Sequence, residues 1–429
     1  MKRPSNTLAR PWTLVPLAAA MALSLSACGG GGGGGTTPGG AASFALTDAP
    51  ICAGITSVFV TVTGVELVGP SGTYNLSLPT PLQVDLATLT NGQTLPLGTI
   101  SVPAGTYQQV RLILASNNGN GSQPANYVVV GSPGAQSQYP LTTPSAQQSG
   151  YKINGQFTVA PNGQANLVVD FNACRSVVMA GNSGKYILKP VLNLTDDAQA
   201  GSITGYLPAA DWGAVVMAED SLGHILKTTV AAAGAAAGDP ATFTLSPLPA
   251  STAGYNVVIA PPATLISPSP TLSPNFAPDV ILNVPVAVGS PATVLGTPAQ
   301  PLQVFDSSTI DQTYAGSVTL STEADTLFVA QETLPNSGPV ISLAQINGVE
   351  SDATPLTETY ALTVPTAPPY VGTFGNSIVL NQLSSPLPIS IQSYASDGEY
   401  GYTTQPGTSS QLATITISGT NNTGFEMDH

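Results

Sequence analysis

Few side chains in this chain can do acid–base or ligand chemistry: two His, three Cys and 23 Asp+Glu among 429 residues. A Ser/His/Asp hydrolase needs a histidine base held by an acid. His224 lies in Leu222-Gly223-His224-Ile225, which reads as a hairpin turn, and His429 is the last residue. The same count excludes a zinc site built on two or more well-placed histidines. Glycoside hydrolysis needs only two carboxylates. The pairs Glu323/Asp325, Glu350/Asp352 and Asp397/Glu399 have i, i+2 spacing, which puts both acids on one face of a strand. They neighbour turn residues and read as solvated acids, with loop calcium as the other use of such groups. Trp212, Tyr394, Tyr400 and Tyr402 are the candidates for a sugar-stacking platform. Thr228 to His429 holds no Lys, so the Lys–Asn side-chain amide bonds of some adhesin sandwiches cannot form within it. The expectation is a protein that is not an enzyme, with no catalytic residues, metal or cofactor.

The context of the first cysteine is sharper. Lys2, Arg3 and Arg10 precede an apolar run that ends in Leu25-Ser26-Ala27-Cys28. Basic start, apolar stretch and small residues before a cysteine form the plan of a secretory signal. Pro11 and Pro16 interrupt the run, and it falls short of the roughly 20 residues a membrane span needs. With Cys directly after the small pair, the segment resembles a bacterial lipobox. The resemblance implies cleavage after residue 27 and a lipid-modified Cys28. Several acyl chains, at about 0.8 kcal/mol per buried methylene, anchor a protein durably. Gly29 stands where many inner-membrane lipoproteins carry Asp, which favours the outer membrane, facing periplasm or cell surface. Residues 28–42, with seven glycines in a row, read as a flexible tether spanning about 20 Å.

With Cys28 acylated, Cys52 and Cys174 remain as an even pair. In an oxidising compartment they are expected to form one disulfide. The charge supports an extracytoplasmic protein without a nucleic-acid partner. Nine Lys+Arg minus the three in the signal leaves six against 23 acids, a mature charge of 6 − 23 = −17. Phosphate binding needs clustered Lys and Arg. Only 7% of residues are charged, while Gly (44) and Pro (39) are abundant. That balance, with 42% hydrophobic residues, suits an all-β chain with many turns.

The elements follow the same reading. Residues 57–62 alternate as a strand. Val102-Pro103-Ala104-Gly105-Thr106-Tyr107 is a turn feeding a strand in which Val110, Leu112 and Leu114 face one way and Gln109 and Arg111 the other. Pro161-Asn162-Gly163 has hairpin-turn chemistry. Residues 231–238 and 261–278 read as exposed loops or connectors.

An ordered set of motifs spans residues 43–195. It comprises Thr47-Asp48-Ala49-Pro50, Val84-Asp85-Leu86, Pro103-Ala104-Gly105-Thr106-Tyr107 with Arg111-Leu112, the strand at 155–159, Asp170-Phe171, and Leu188-Lys189-Pro190-Val191. Together they resemble the bacterial lipoprotein domain known as domain of unknown function 4382. The resemblance implies an all-β extracytoplasmic module and brings no activity with it.

Two further units follow, at 200–305 and 315–420. Ala200-Gly201-Ser202-Ile203-Thr204 recurs as Ala315-Gly316-Ser317-Val318-Thr319. Val215-Val216-Met217-Ala218 matches Leu327-Phe328-Val329-Ala330, Phe243-Thr244-Leu245 matches Tyr360-Ala361-Leu362, and Tyr255 onward matches Tyr370-Val371. This is an internal repeat of about domain length. Both copies resemble transthyretin-like modules, with immunoglobulin-like sandwiches as the alternative. The expected architecture is tandem β-sandwich modules behind a signal peptide and tether. The expected function is a membrane-anchored envelope lipoprotein with a non-catalytic binding or structural role, its partner a glycan or envelope protein. An accessory carbohydrate-binding protein is the alternative, and a carboxylate-dependent glycoside hydrolase comes third.

Overall fold

The structure, a computed structural model, describes residues 39–49, 54–69, 71–117, 124–131, 134–180, 183–261, 276–289, 291–307, 311–320, 325–351, 357–396, 401–403 and 414–417. The signal segment and Cys28 lie outside these residues. The fold is all-β. The first module holds β1 (Gly39–Asp48), β2 (Ile55–Gly69), β3 (Gly72–Asp85), β4 (Leu95–Pro103), β5 (Gly105–Leu114), β6 (Tyr127–Val130), β7 (Ser137–Thr142), β8 (Tyr151–Val159) and β9 (Gln164–Phe171). The one-turn helix α1 (Ala173–Ser176), β10 (Val177–Ala180), β11 (Lys185–Leu188) and β12 (Leu192–Asp196) complete it. One sheet runs β12-β9-β1-β4. The other runs β10-β11-β7-β6-β2-β5-β8, with β3 also on β2. Alternation fills the space between them: Phe44 and Leu46 from one sheet meet Val58, Val60, Val62, Val110, Leu112 and Leu114 from the other. These are the inward positions expected from periodicity.

Two local expectations change. Residues 39–42, read as tether, are the first half of β1, pairing with β4 and, in parallel, with β9. Gly40 is there for close approach: a Cβ would sit 2.7 Å from the Ala160 carbonyl oxygen. Pro161-Asn162-Gly163 does make a tight turn, with Asn162 at φ 56°. It carries the chain from one sheet to the other rather than closing a hairpin, because β9 pairs with β1 and β12. The β4–β5 turn also changes sheets. There the Tyr107 hydroxyl donates back to the Pro103 carbonyl at 2.8 Å.

The second module comprises β13 (Ala200–Leu207), β14 (Val215–Glu219), β15 (Ile225–Val230), β16 (Ala241–Pro249), β17 (Ser251–Ala260), β18 (Asp279–Val286) and β19 (Thr293–Leu295). The third comprises β20 (Gln312–Leu320), β21 (Asp325–Thr333), β22 (Val340–Asn347), β23 (Val349–Ser351), β24 (Thr357–Val364), β25 (Tyr370–Thr373), β26 (Asn381–Gln382), β27 (Ser390–Ser396), β28 (Gly401–Thr403) and β29 (Thr414–Ile417). Strand order β16-β13-β19 in the second has the same form as β24-β20-β29 in the third, and β15-β14-β17-β18 the same form as β22-β21-β27-β28. In both, the last partner of the first sheet is parallel. The strand in the place of β17 is therefore β27, not the Tyr370-Val371 segment that the sequence match suggests. Register also differs. Ile203 faces Leu245, whereas Val318 faces Glu358, four residues short of Leu362.

Tyr370-Val371 instead belongs to β25, which adds in parallel to β18 of the second module. The sheet built on β14 is thus buried on both faces. Val216 and Ala218 point into the second module's own core. Val215 and Met217 share a core with Phe328, Ile341 and Leu343 of the third. This explains why β14 is apolar at every position but its last. The described residues from Gly39 onward fall in one compact unit.

Candidate functional site at the seam between the modules

The residues singled out by sequence do not converge. Cys52 lies outside the described residues; Cys174 is buried on α1, which is capped by the Asn172 side chain accepting from the Arg175 N–H. His224 is a turn residue as expected. Its Nδ1 sits 2.8 Å from Asp220 Oδ2, both side chains well exposed. Asp220 Oδ1 also accepts the backbone N–H groups of Leu222 and His224, so this carboxylate organises the β14–β15 hairpin. Glu323, Asp352, Asp397, Glu399 and Tyr400 lie outside the described residues. Asp325 and Glu350 are placed by backbone alone, where Glu350 pairs with Glu358 across β23 and β24. Trp212 is 40% exposed in the loop before β14.

What the fold does bring together is a polar seam between the first and second modules. Lys227, in the middle of β15, pairs in register with Ala218. Its Nζ lies 2.7 Å from Asp170 Oδ2 on β9, with the two side chains 2% and 13% exposed. The approach is close yet off the hydrogen-bond direction, since Nζ has no partner of acceptable geometry. Asp48, on β1, stands opposite Phe171, one step along from the Thr47–Asp170 pair. It is fully buried. Its Oδ1 accepts the Ala173 N–H at 2.8 Å, and its Oδ2 has no partner. Burial pushes the Asp48 carboxyl well above the usual carboxylate range, and the charge of Asp170 adds to that while Lys227 opposes it.

The residues around this group seal it. Asn91, at φ 58° in the loop after Leu89, accepts the Thr244 N–H on Oδ1 at 2.5 Å, and its own N–H donates to Thr229 Oγ1 at 3.1 Å. The third module touches the same region: Asn347 Nδ2 donates to the carbonyls of Cys174 and Arg175, each at 3.1 Å. Burial lowers the Arg175 guanidinium to about 10. Between second and third modules, Glu219 and the hairpin carbonyl of Gly223 take the N–H and hydroxyl of Ser342.

Sequence pattern does not mark this group. Asp48 and Asp170 appear there only within family-like motifs. The available signal is a lone lysine alternating with Thr and Leu in Leu226-Lys227-Thr228-Thr229-Val230, a strand whose other face must be buried.

A second acidic group lies at the far end of the β14 sheet. Asp279 is fully buried with both oxygens unpartnered, and burial with the nearby Asp211 charge raises it to about 8. Asp211 is raised to about 6 by burial and by Asp306. Among the described residues no set of three or more His, Cys, Asp or Glu is arranged to hold a metal ion. Two surface depressions, of about 310 and 510 Å³, are lined mainly by Ser, Thr, Asn, Pro and aliphatic residues. The first holds Asp197 and the second Lys185, so neither pairs two carboxylates. Among the described residues no helix is long and apolar enough to cross a membrane.

The motif-bearing strands of the first module match a known family. Residues 39–190 match the family described as domain of unknown function (DUF4382). The match covers about a third of the chain and stops before β12. The DUF4382 region supplies Asp48, Asp170 and Asn91 to the seam; Lys227 comes from outside it. No curated protein matches the chain. Among solved structures, the Bacillus anthracis TIE protein aligns at 9% identity with a TM-score of 0.15, over 89% of this chain and 50% of that one. The chain spans about half the length of that protein, and a likeness this loose assigns neither fold nor function.

Proposed function

We propose that the chain is an envelope lipoprotein, anchored through Cys28, whose three sandwich modules act as one rigid non-catalytic unit for binding or structural work. The observation that carries the reading is mechanical. The β14 sheet is buried on both faces, is extended by a strand of the third module, and is fastened to the DUF4382 region by a buried polar seam. Such coupling suits a body that transmits or resists force and holds its surfaces in fixed relation. The anchor rests on Leu25-Ser26-Ala27-Cys28 and the basic start. It is tested by Cys28→Ala: the variant should leave the membrane fraction and lose label from a fatty-acid probe. Continued sedimentation with label would overturn it.

Two finer readings belong with this one. The shared strand orders support second and third modules derived from one repeated unit, with register and edge strands since diverged. A Cys52–Cys174 disulfide is supported by the path of the chain. The Ala49 N–H donates to the Phe171 carbonyl and the Ala173 N–H donates to Asp48 Oδ1, so the segment leaving β1 starts beside α1. Alkylation of unreduced protein from the envelope should leave both cysteines unlabelled.

A further inference from the structure

We propose that Lys227 Nζ and Asp170 Cγ condense to an amide, a side-chain cross-link that covalently joins the first module to the second. The geometry supplies what the reaction needs. The nucleophile Nζ lies 2.7 Å from Oδ2 of the carboxyl whose Cγ it would attack, and two different sheets hold the pair there. The amine is not engaged along the hydrogen-bond direction that would make a settled ion pair. The site is dry: Lys227 is 4% exposed and Asp48 1%. An ion pair in such a place forfeits the hydration of both charges, and Asp170 Oδ1, Asp48 Oδ2 and Nζ are left without hydrogen-bond partners. Condensation removes both charges at once.

The step balances without any other reactant. A proton passes from the lysine ammonium to the Asp170 carboxylate, leaving a neutral amine and a neutral acid. The amine lone pair attacks Cγ, and a C–N bond forms. A proton passes from the nitrogen to one hydroxyl of the tetrahedral carbon. The C–O bond breaks and one water leaves. Proximity in a fixed geometry replaces the activation that amide formation otherwise requires. The inference does not depend on lipid anchoring.

Peptide mapping of the full chain, reduced and digested with trypsin, tests it. Lys189 precedes Pro190, where trypsin does not cut, so the unlinked products are residues 153–175 and 186–227. The expected result is one branched species joining 153–175 to a peptide that starts at 186 and runs uncut past Lys227, lighter than the sum by one water. Recovery of 153–175 and 186–227 separately at unmodified masses would overturn the bond. So would a water loss confined to 153–175, which marks an aspartate imide. Lys227→Arg keeps the charge and should abolish the branched species. If that variant fails to fold, the parent map alone decides the bond.

Discussion

The Glu219 carboxylate accepts the Ser342 backbone N–H at 2.9 Å, across 123 residues of sequence, in a site neither group shares with water. This bond ties the end of β14 to the middle of β22, and its other oxygen is left without a partner. Burial raises Glu219 well above the usual range. Replacing it with Gln keeps an acceptor and removes the titrating group. Glu219→Gln should therefore fold as stably as the parent near pH 5 and more stably at alkaline pH. Glu219→Ala should lose about 1–3 kcal/mol at either pH through the orphaned Ser342 N–H. Urea titration of the two variants separates the effects.

Acidic pH should stabilise the whole chain. Asp211 is raised to about 6, Asp279 and Glu332 to about 8, and Asp48 and Glu219 well above the usual carboxylate range, all chiefly by burial. Between the unfolded values near 4 and these folded ones, the folded state binds more protons than the unfolded. Stability is then full below the unfolded values and falls as pH rises through the folded ones, by about 1.4 kcal/mol per pH unit for each group in its window. The urea midpoint should drop between about pH 5 and pH 8. Asp279→Asn and Glu332→Gln should each flatten that slope. A midpoint that rises over this range would contradict the burial of these acids.

Lys227→Met abolishes the proposed cross-link and leaves Asp170 as a buried charge without its partner. The expected cost is at least about 3–5 kcal/mol. Lys227→Met with Asp170→Leu should recover much of it, whereas Lys227→Met alone should not be rescued by salt. Chemical denaturation of the three chains provides the comparison.

Tyr107 and Tyr255 each turn a hydroxyl back to the proline carbonyl at the preceding sheet change, at 2.8 and 2.7 Å. Tyr107→Phe and Tyr255→Phe should each cost about 0.5–1.5 kcal/mol. The two sites lie in different modules of one compact unit, so their effects should add in the double variant. A strongly non-additive double variant would show that the two corners are coupled.

Periodicity made the first module legible. The alternation of Val110, Leu112 and Leu114 with Gln109 and Arg111 places each side chain on its observed face. The recurring Ala-Gly-Ser segments lie on β13 and β20, each set between an antiparallel and a parallel partner. Composition misled at residues 39–42, because a glycine that permits flexibility and one that permits close approach look the same in sequence. The Tyr370-Val371 match failed for a different reason. A short apolar β-prone segment fits any open sheet edge, and the nearest edge belonged to another module. The seam was illegible because it is a product of three-dimensional closure: Asp48, Asp170 and Lys227 come from strands separated by more than a hundred and by fifty-odd residues, and no local spacing encodes their meeting.

β25 laid along β18 also sets an order for assembly. As a nascent chain lengthens, β18 is complete some eighty residues before Tyr370 follows it out. Through that interval its outer rim of amides and carbonyls is a template open to any extended strand. A chain cut near residue 305 would keep that rim bare for good, so a two-module fragment should associate with copies of itself where the whole chain does not.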